Sequence, residues 1–428
     1  MVSALKLAGI LAVASTGVLM AGTADLWRQE RGAVVKAYQA KDYAAMRELL
    51  LKQHADFPSV RGPLYNLACA EALLGHTAAA LEWLRKFADS GLDQDPRKDP
   101  NLTSLRDSPE FEAIERQMER NRAPVSKATT FFTFPDENAL TEDLAYDPRT
   151  RTFYASSVHR SKIFAIGRDG KLRDFIGEAQ DGVWSILALS VDAKRGVLWA
   201  STAAMPQGAA YRKEDANLSA MLRYDLETGH LLKRYEVPRD GQPHVLGDMT
   251  LSPAGDVYVS DGLDGTVYTI RQGKDELEVL VAKGNFGSPQ TPALTPDGKR
   301  LLVADYSLGI AIVELKGGGI SWLELPANLA LTGIDGLYVV PGGLIAVQNG
   351  THPERVIRIW TDPAYTKAVR WEAIEKGTPE LGDPTHGILV GKQFYYIANS
   401  GWGRFNDDGS IDPKAPASAP IIRRFTLE

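Results

Sequence analysis

Asp143-Leu-Ala-Tyr-Asp-Pro148, followed by Thr152-Phe-Tyr-Ala-Ser156, reads as a short apolar strand, a turn built on Asp and Pro, and a second strand. The unit returns as Asp248-Met-Thr-Leu-Ser-Pro253 with Val257-Tyr-Val-Ser-Asp261, and again as Pro292-Ala-Leu-Thr-Pro-Asp-Gly298 with Leu301-Leu-Val-Ala-Asp305. Variants stand at Leu189-Ser-Val-Asp192, Gly336-Leu-Tyr-Val-Val-Pro341 and Gly387-Ile-Leu-Val-Gly391. A fixed position ahead of each turn gives a register mark: Glu142, Leu187, Gly247, Gln290, Asp335 and Thr385, spaced 45, 60, 43, 45 and 50 residues. Six units of about four strands each predict a mainly β chain folded as a six-bladed β-propeller.

The long second interval has a visible cause, an insertion around Met205-Pro-Gln-Gly-Ala-Ala-Tyr-Arg-Lys213 between two strands. Ring closure also leaves a trace. Thr129-Thr-Phe-Phe-Thr-Phe134 is a strand with no earlier blade to join, and Pro420-Ile-Ile-Arg-Arg-Phe-Thr-Leu427 is a strand near the C-terminus. Both are assigned to the last blade, because an unlocked ring would expose sheet edges.

Ahead of the propeller, residues 25–122 are rich in Ala, Leu, Glu and Lys/Arg and carry a helical pattern. Met46 and Ala80, like Leu50 and Leu84, are 34 residues apart, which is the tetratricopeptide period. Leu64-Tyr-Asn-Leu-Ala-Cys-Ala-Glu-Ala-Leu-Leu74 resembles the first helix of such a repeat. An all-α, tetratricopeptide-like domain over 25–122 is therefore expected before a propeller over 127–428. Two repeats are too few to stand alone, so they should lean on the propeller or on a partner.

The N-terminus places Lys6 before an apolar run from Leu7 to Ala21 and then Gly22-Thr-Ala24, the pattern of a signal peptide over residues 1–24. The expectation is an exported protein, periplasmic or extracellular; the alternative is an uncleaved membrane anchor. Cys69 is the single cysteine, so no intramolecular disulfide forms, and it is read as a small core residue. The formal net charge of -6 gives no electrostatic attraction to phosphate backbones, and nucleic acid is set aside as a partner. The chain has no Gly-x-Ser-x-Gly elbow, His-Glu-x-x-His pair or phosphate-binding Gly-x-x-x-x-Gly-Lys loop.

The six register marks ring one mouth of the central channel. His159, His244, His352 and His386 fall in loops or strand starts on that face, as do Asp261, Tyr306, Asn349, Asn399, Trp402 and Arg404. At this point the chain resembles the senescence-marker protein, gluconolactonase and luciferin-regenerating family of propellers. The family's opening glutamate, a divalent-metal ligand, is matched in register by Glu142 of Thr141-Glu-Asp-Leu-Ala-Tyr-Asp-Pro148. Its metal-binding and catalytic aspartate is matched by Asp335 of Gly333-Ile-Asp-Gly-Leu337. The family's two intervening asparagines fall at Leu187 and Gly247, which offer no side-chain oxygen; Asp248 is one residue away, and Gln290 offers a neutral oxygen.

What the resemblance implies is a hydrolase of a small lactone or ester, with a sugar lactone as the type of substrate. Glu142, Asp335 and Asp248 would hold a divalent metal, Ca²⁺, Mg²⁺, Mn²⁺ or Zn²⁺. Asp335, or a mouth histidine such as His386 or His244, would activate water. The alternative is a non-catalytic binding module whose helical repeats recruit a protein partner.

Overall fold

The computed structural model describes residues 22–416 and 418–427. The apolar run of the expected signal peptide therefore lies outside the described residues. The chain is described from the first turn of helix α1 (Thr23–Gln39), where Ala24 is already fully buried and its N–H donates to Gly284 O at 3.1 Å. The expected boundary at residue 24 thus falls inside that turn. No described helix is long and apolar enough to cross a membrane.

Four further helices follow: α2 (Tyr43–Asp56), α3 (Gly62–Leu73), α4 (Thr77–Asp89) and, after a 3-10 turn, α5 (Pro109–Arg122). Their starts are chemically specified. Asp42 accepts from Ala45 N at 3.0 Å and Ser108 accepts from Phe111 N at 3.1 Å, while Pro63 and Pro109 occupy first-turn positions that need no N–H donor. Helix α3 is buried nearly all round, and Ala68, Ala70 and Ala72 let α2 and α4 approach it. Cys69 is buried there, as expected.

The helices lean on the propeller. Ala330 belongs to the helical core, the Arg61 guanidinium donates to Leu329 O and Pro326 O at 3.1 and 3.0 Å, and fully buried Arg355 donates to Gly91 O at 3.1 Å and Ala330 O at 2.9 Å. Each of the bonds to Leu329, Pro326 and Gly91 gives a carbonyl in the joint a donor from the other layer.

From Val125 onward the chain is sheet. Five of the six blades have inner-to-outer strands in chain order: blade 1 spans 144–176, blade 2 spans 185–236, blade 3 spans 246–281, blade 4 spans 289–322 and blade 5 spans 334–376. Blade 6 is Gly387–Val390, Gln393–Asn399 and Ile421–Thr426, completed by Thr129–Thr133 as its outer strand. Ring closure is thus shared between the two ends as the sequence implied. Just upstream, Val125–Ser126 pairs with Glu375 and Lys376 as a fifth strand on blade 5, so sheet pairing starts before the expected boundary at 127.

Inner strands of neighbouring blades touch all the way round the channel, and each of the six gaps between blades holds its own apolar core. That two-sided packing explains second strands that are buried throughout, such as Val257–Asp261. In blades 2 to 5 the pairing of the inner strand slips at the register mark, between Ile186 and Leu189, Leu246 and Asp248, Pro289 and Pro292, and Ile334 and Gly336. Leu187, Gly247, Gln290 and Asp335 all lie inside these irregularities. A bulged residue leaves the ladder and re-aims its side chain, which is how the marks come to ring the mouth.

Candidate functional site

Asp335 sits in the blade 5 bulge, and Gly336 beside it is required: a Cβ there would meet Thr385 O at 2.9 Å. That close approach sets the start of blade 6 against blade 5, and on its other side hydrogen bonds tie it to blade 1. The Glu142 carbonyl accepts from Thr385 Oγ1 at 2.7 Å and from His386 Nδ1 at 3.0 Å. His386 Nδ1 therefore carries its proton, and Nε2 is turned to the channel axis.

Around Nε2 the acids converge. Asp248 Oδ1 touches it without the alignment of a hydrogen bond, Asp335 Oδ1 lies at 4.0 Å, and Glu142 Oε1 lies 3.9 Å from the same imidazole's Nδ1. Glu142, Asp335 and His386 each offer a ligand atom within 4.8 Å of the others. Each carboxylate has its second oxygen held from outside. The Trp402 indole N–H donates to Glu142 Oε2 at 2.5 Å, and Asn349 Nδ2 donates to Asp335 Oδ2 at 2.8 Å, with Tyr306 O–H in turn on Asn349 Oδ1 at 3.0 Å.

The electrostatics follow from this crowding. Burial and then Asp335 push the Glu142 carboxyl well above its ordinary value. Asp335 is raised to about 6, by burial first; His386 pulls it down and Asp248 pushes it up. Burial alone would lower His386, but Asp248 and Asp335 outweigh it and hold the imidazolium well above its usual range. Like charges brought together out of water cannot all ionise unless a cation joins them.

The donor set fits a divalent metal. A ligating histidine ordinarily has its other N–H on a carbonyl or carboxylate, and ligating carboxylates are hydrogen-bonded from outside, as His386, Glu142 and Asp335 are here. Of the residues expected as ligands, Glu142 and Asp335 share one centre; Asp248 joins them through His386, and His386 takes the third place in the triad.

His244 is not part of this centre. Its Nδ1 pairs with Asp261 Oδ2 at 2.6 Å and its Nε2 with Asp240 Oδ1 at 3.0 Å. Asp261 Oδ1 also takes the backbone N–H groups of Val245, Leu263 and Asp264, so this second cluster clasps the turns of blade 3. Gln290 is turned to Ser288, its Nε2 donating to Ser288 Oγ at 2.9 Å.

Three acids near the centre escaped the sequence reading. Asp143 turns away from the mouth and accepts from Leu144 N and Leu189 N, both at 2.7 Å, tying blade 1 to blade 2; burial raises it to about 7. Asp383 and Glu354 come from different loops and meet beside the mouth, where Asp383 N donates to Glu354 Oε2 at 3.1 Å. Burial, then Glu354 and Asp335, raise Asp383 to about 7.

No protein-family model matches the chain, and no curated protein does. Among solved structures it is similar to a gluconolactonase from Xanthomonas campestris, at 14% identity and a TM-score of 0.46 over 67% of this chain and 86% of that one. It is similar also to the PQQ-bound aldose sugar dehydrogenase of Streptomyces coelicolor, at 17% identity and TM-score 0.46 over 70% and 99%. A third is virginiamycin B lyase from Staphylococcus aureus, at 12% identity and TM-score 0.45 over 71% and 99%. Likenesses this loose transfer no chemistry.

Proposed function

We propose that the protein is a hydrolase of a small lactone or related ester, working with a divalent cation held by Glu142, Asp335 and His386. The observation that carries this is the pair of buried carboxylates, each with one oxygen fixed by a neutral donor and the other facing the same imidazole. Bound there, the cation would supply Lewis-acid polarisation of the ester carbonyl. The mixed imidazole and carboxylate set suits Zn²⁺ or Mn²⁺ better than Ca²⁺, which takes six or more oxygens. Asp335 would be the group that takes a proton from the attacking water. Asn349 and Trp402 hold the two carboxylates in place while it does so.

The test is to strip the protein of metal, add each of Ca²⁺, Mg²⁺, Mn²⁺ and Zn²⁺, and follow melting temperature and lactone or ester hydrolysis together. A ligand that binds only the folded state raises the midpoint by mass action. Zn²⁺ or Mn²⁺ should raise it most, and Glu142→Gln and Asp335→Asn should each remove the rise and the turnover. No shift with any ion, together with no turnover, would discard this reading.

A second reading, a non-catalytic binding propeller, draws on two observations. Leu187 and Gly247 bring no oxygen to the ring, and a protonated His386 against Asp248 can itself neutralise part of the acid charge. Recruitment of a protein partner through the helical repeats gains no support from the helices' use of an apolar face against blades 4 and 5. The tetratricopeptide-like character of α1 to α4 rests on the 34-residue spacing of buried Met46 with Ala80 and Leu50 with Leu84. Export rests on the N-terminal sequence alone.

A further inference from the structure

The bulges that place Gln290 and Asp335 at the mouth place Leu187 and Gly247 at the equivalent points of blades 2 and 3. Two adjacent blades therefore present no polar side chain where blade 5 presents an acid. Leu187, only 3% exposed, is backed by fully buried Leu140, Val158 and Ala203, and half-buried Met205, Val245, Trp402 and Phe405 pack on that cluster.

The loops that carry this wall are fixed to each other. Met205 lies in the blade 2 insertion, and Trp402 and Phe405 lie in the long loop of blade 6. Gln207 Nε2 donates to Asn406 O at 3.2 Å, while the His159 ring lies tilted against Phe405, 4.8 Å between centroids, and bonds through Nδ1 to Gln207 O at 2.6 Å. The wall also adjoins the acid centre directly. Trp402 gives its indole N–H to Glu142 and its ring to the apolar cluster.

We propose that the non-reacting part of the substrate is an apolar chain or ring, seated over blades 1 to 3 against Leu187, Met205, Val245 and Trp402. Its carbonyl then faces Glu142 and Asp335. This rests on the hydrolase reading and narrows it: a polyhydroxylated sugar lactone would turn hydroxyls toward Leu187 and Gly247, which offer them no side-chain hydrogen bond, and an unpaired polar group is costly to bury. An alkyl group gains instead, by about three- to fourfold in affinity for each methylene fully removed from water.

The experiment compares glucono-δ-lactone with γ-lactones bearing unbranched alkyl groups from methyl to hexyl. It reads both kcat/KM and, by calorimetry on the metal-loaded protein, binding. The expected result is a rise in both with chain length, with the sugar lactone below the hexyl compound. Met205→Ser should cut the hexyl-to-methyl ratio severalfold; Leu187→Asn should cut it further, with Met205→Ser deciding the matter where Leu187→Asn does not fold. Binding that rises with chain length without turnover would uphold the apolar seat and remove the hydrolase reading. Turnover that ignores chain length, or that favours the sugar lactone, would overturn the apolar seat and leave the hydrolase reading standing. Neither binding nor turnover of any lactone, the sugar lactone included, would overturn both.

Discussion

His386 and His244 are both buried histidines flanked by aspartates on the mouth face, yet their surroundings do opposite things. At His244 the acids are already engaged: Asp261 takes three backbone N–H groups besides the imidazole, and Asp264 takes the Thr266 hydroxyl and lies 3.5 Å from the Lys283 ammonium. At His386 the acids outnumber their donors, and Glu142 and Asp335 each turn one oxygen into the channel. The first arrangement is a finished hydrogen-bond network; the second leaves one oxygen of Glu142 and one of Asp335 without a hydrogen-bond donor, which is what the proposed cation would use. A histidine with two acids is thus no evidence of a centre until each acid's remaining bonds are followed.

The contrast can be broken most sharply by turnover. Asp335→Asn should cost at least about a hundredfold in kcat for whichever lactone is hydrolysed, the scale on which removal of a group that stabilises transition-state charge is felt. His244→Gln should leave the response to metal in place while lowering the melting temperature. Equal losses of turnover from the two variants would erase the distinction.

Stability should show the reverse order. Asp261→Ala strands the N–H groups of Val245, Leu263 and Asp264 and is expected to cost about 3 kcal/mol or more in denaturant unfolding. Glu142→Gln, which removes a carboxyl crowded by Asp335, should leave the metal-free protein equally stable or more so. A strongly destabilised Glu142→Gln would mark the centre as structural.

The most gradual effect is on pH. The Asp383 carboxyl keeps its proton in the folded protein up to about 7, whereas in the unfolded chain it titrates at its ordinary value near 3.8. Folding therefore takes up a proton between those values. The contribution is greatest below about pH 4 and is lost as pH rises through about 7, at no more than about 1.4 kcal/mol per pH unit. Asp383→Asn should flatten that decline in a series of unfolding curves; an unchanged slope would mean Asp383 is ionised and solvated.

Blade count, ring closure and the blade 2 insertion were legible because each blade repeats the same turn chemistry, so spacing alone exposed the period. Glu142 and Asp335 were legible as register marks. His244 misled because it lies on the same face as His386, but three residues ahead of Gly247 rather than one after Thr385, and that offset sends it to the turn instead of the axis. Trp402, Asn349 and Tyr306 could be placed at the mouth, but not paired with particular acids, since each pairing joins loops from different blades. Asp383 and Glu354 share that difficulty: no local spacing signals a meeting 29 residues apart. Apolar Leu187 registered only as a missing asparagine, because a wall becomes visible when Leu140, Val158 and Ala203 are seen behind it.

The outer strand of blade 6 sets an order on the making of this molecule. Thr129–Thr133 is made before any blade, yet its partner Ile421–Thr426 is the last of the described strands to be made. While the chain lengthens, that early strand has no mate, and the blades at the two ends of the growing arc each keep one flank open. The helices, whose contacts are local, can form long beforehand. Ile421–Thr426 thus acts as a latch, and a chain cut short before Ile421 leaves Thr129–Thr133 without the strand it pairs with.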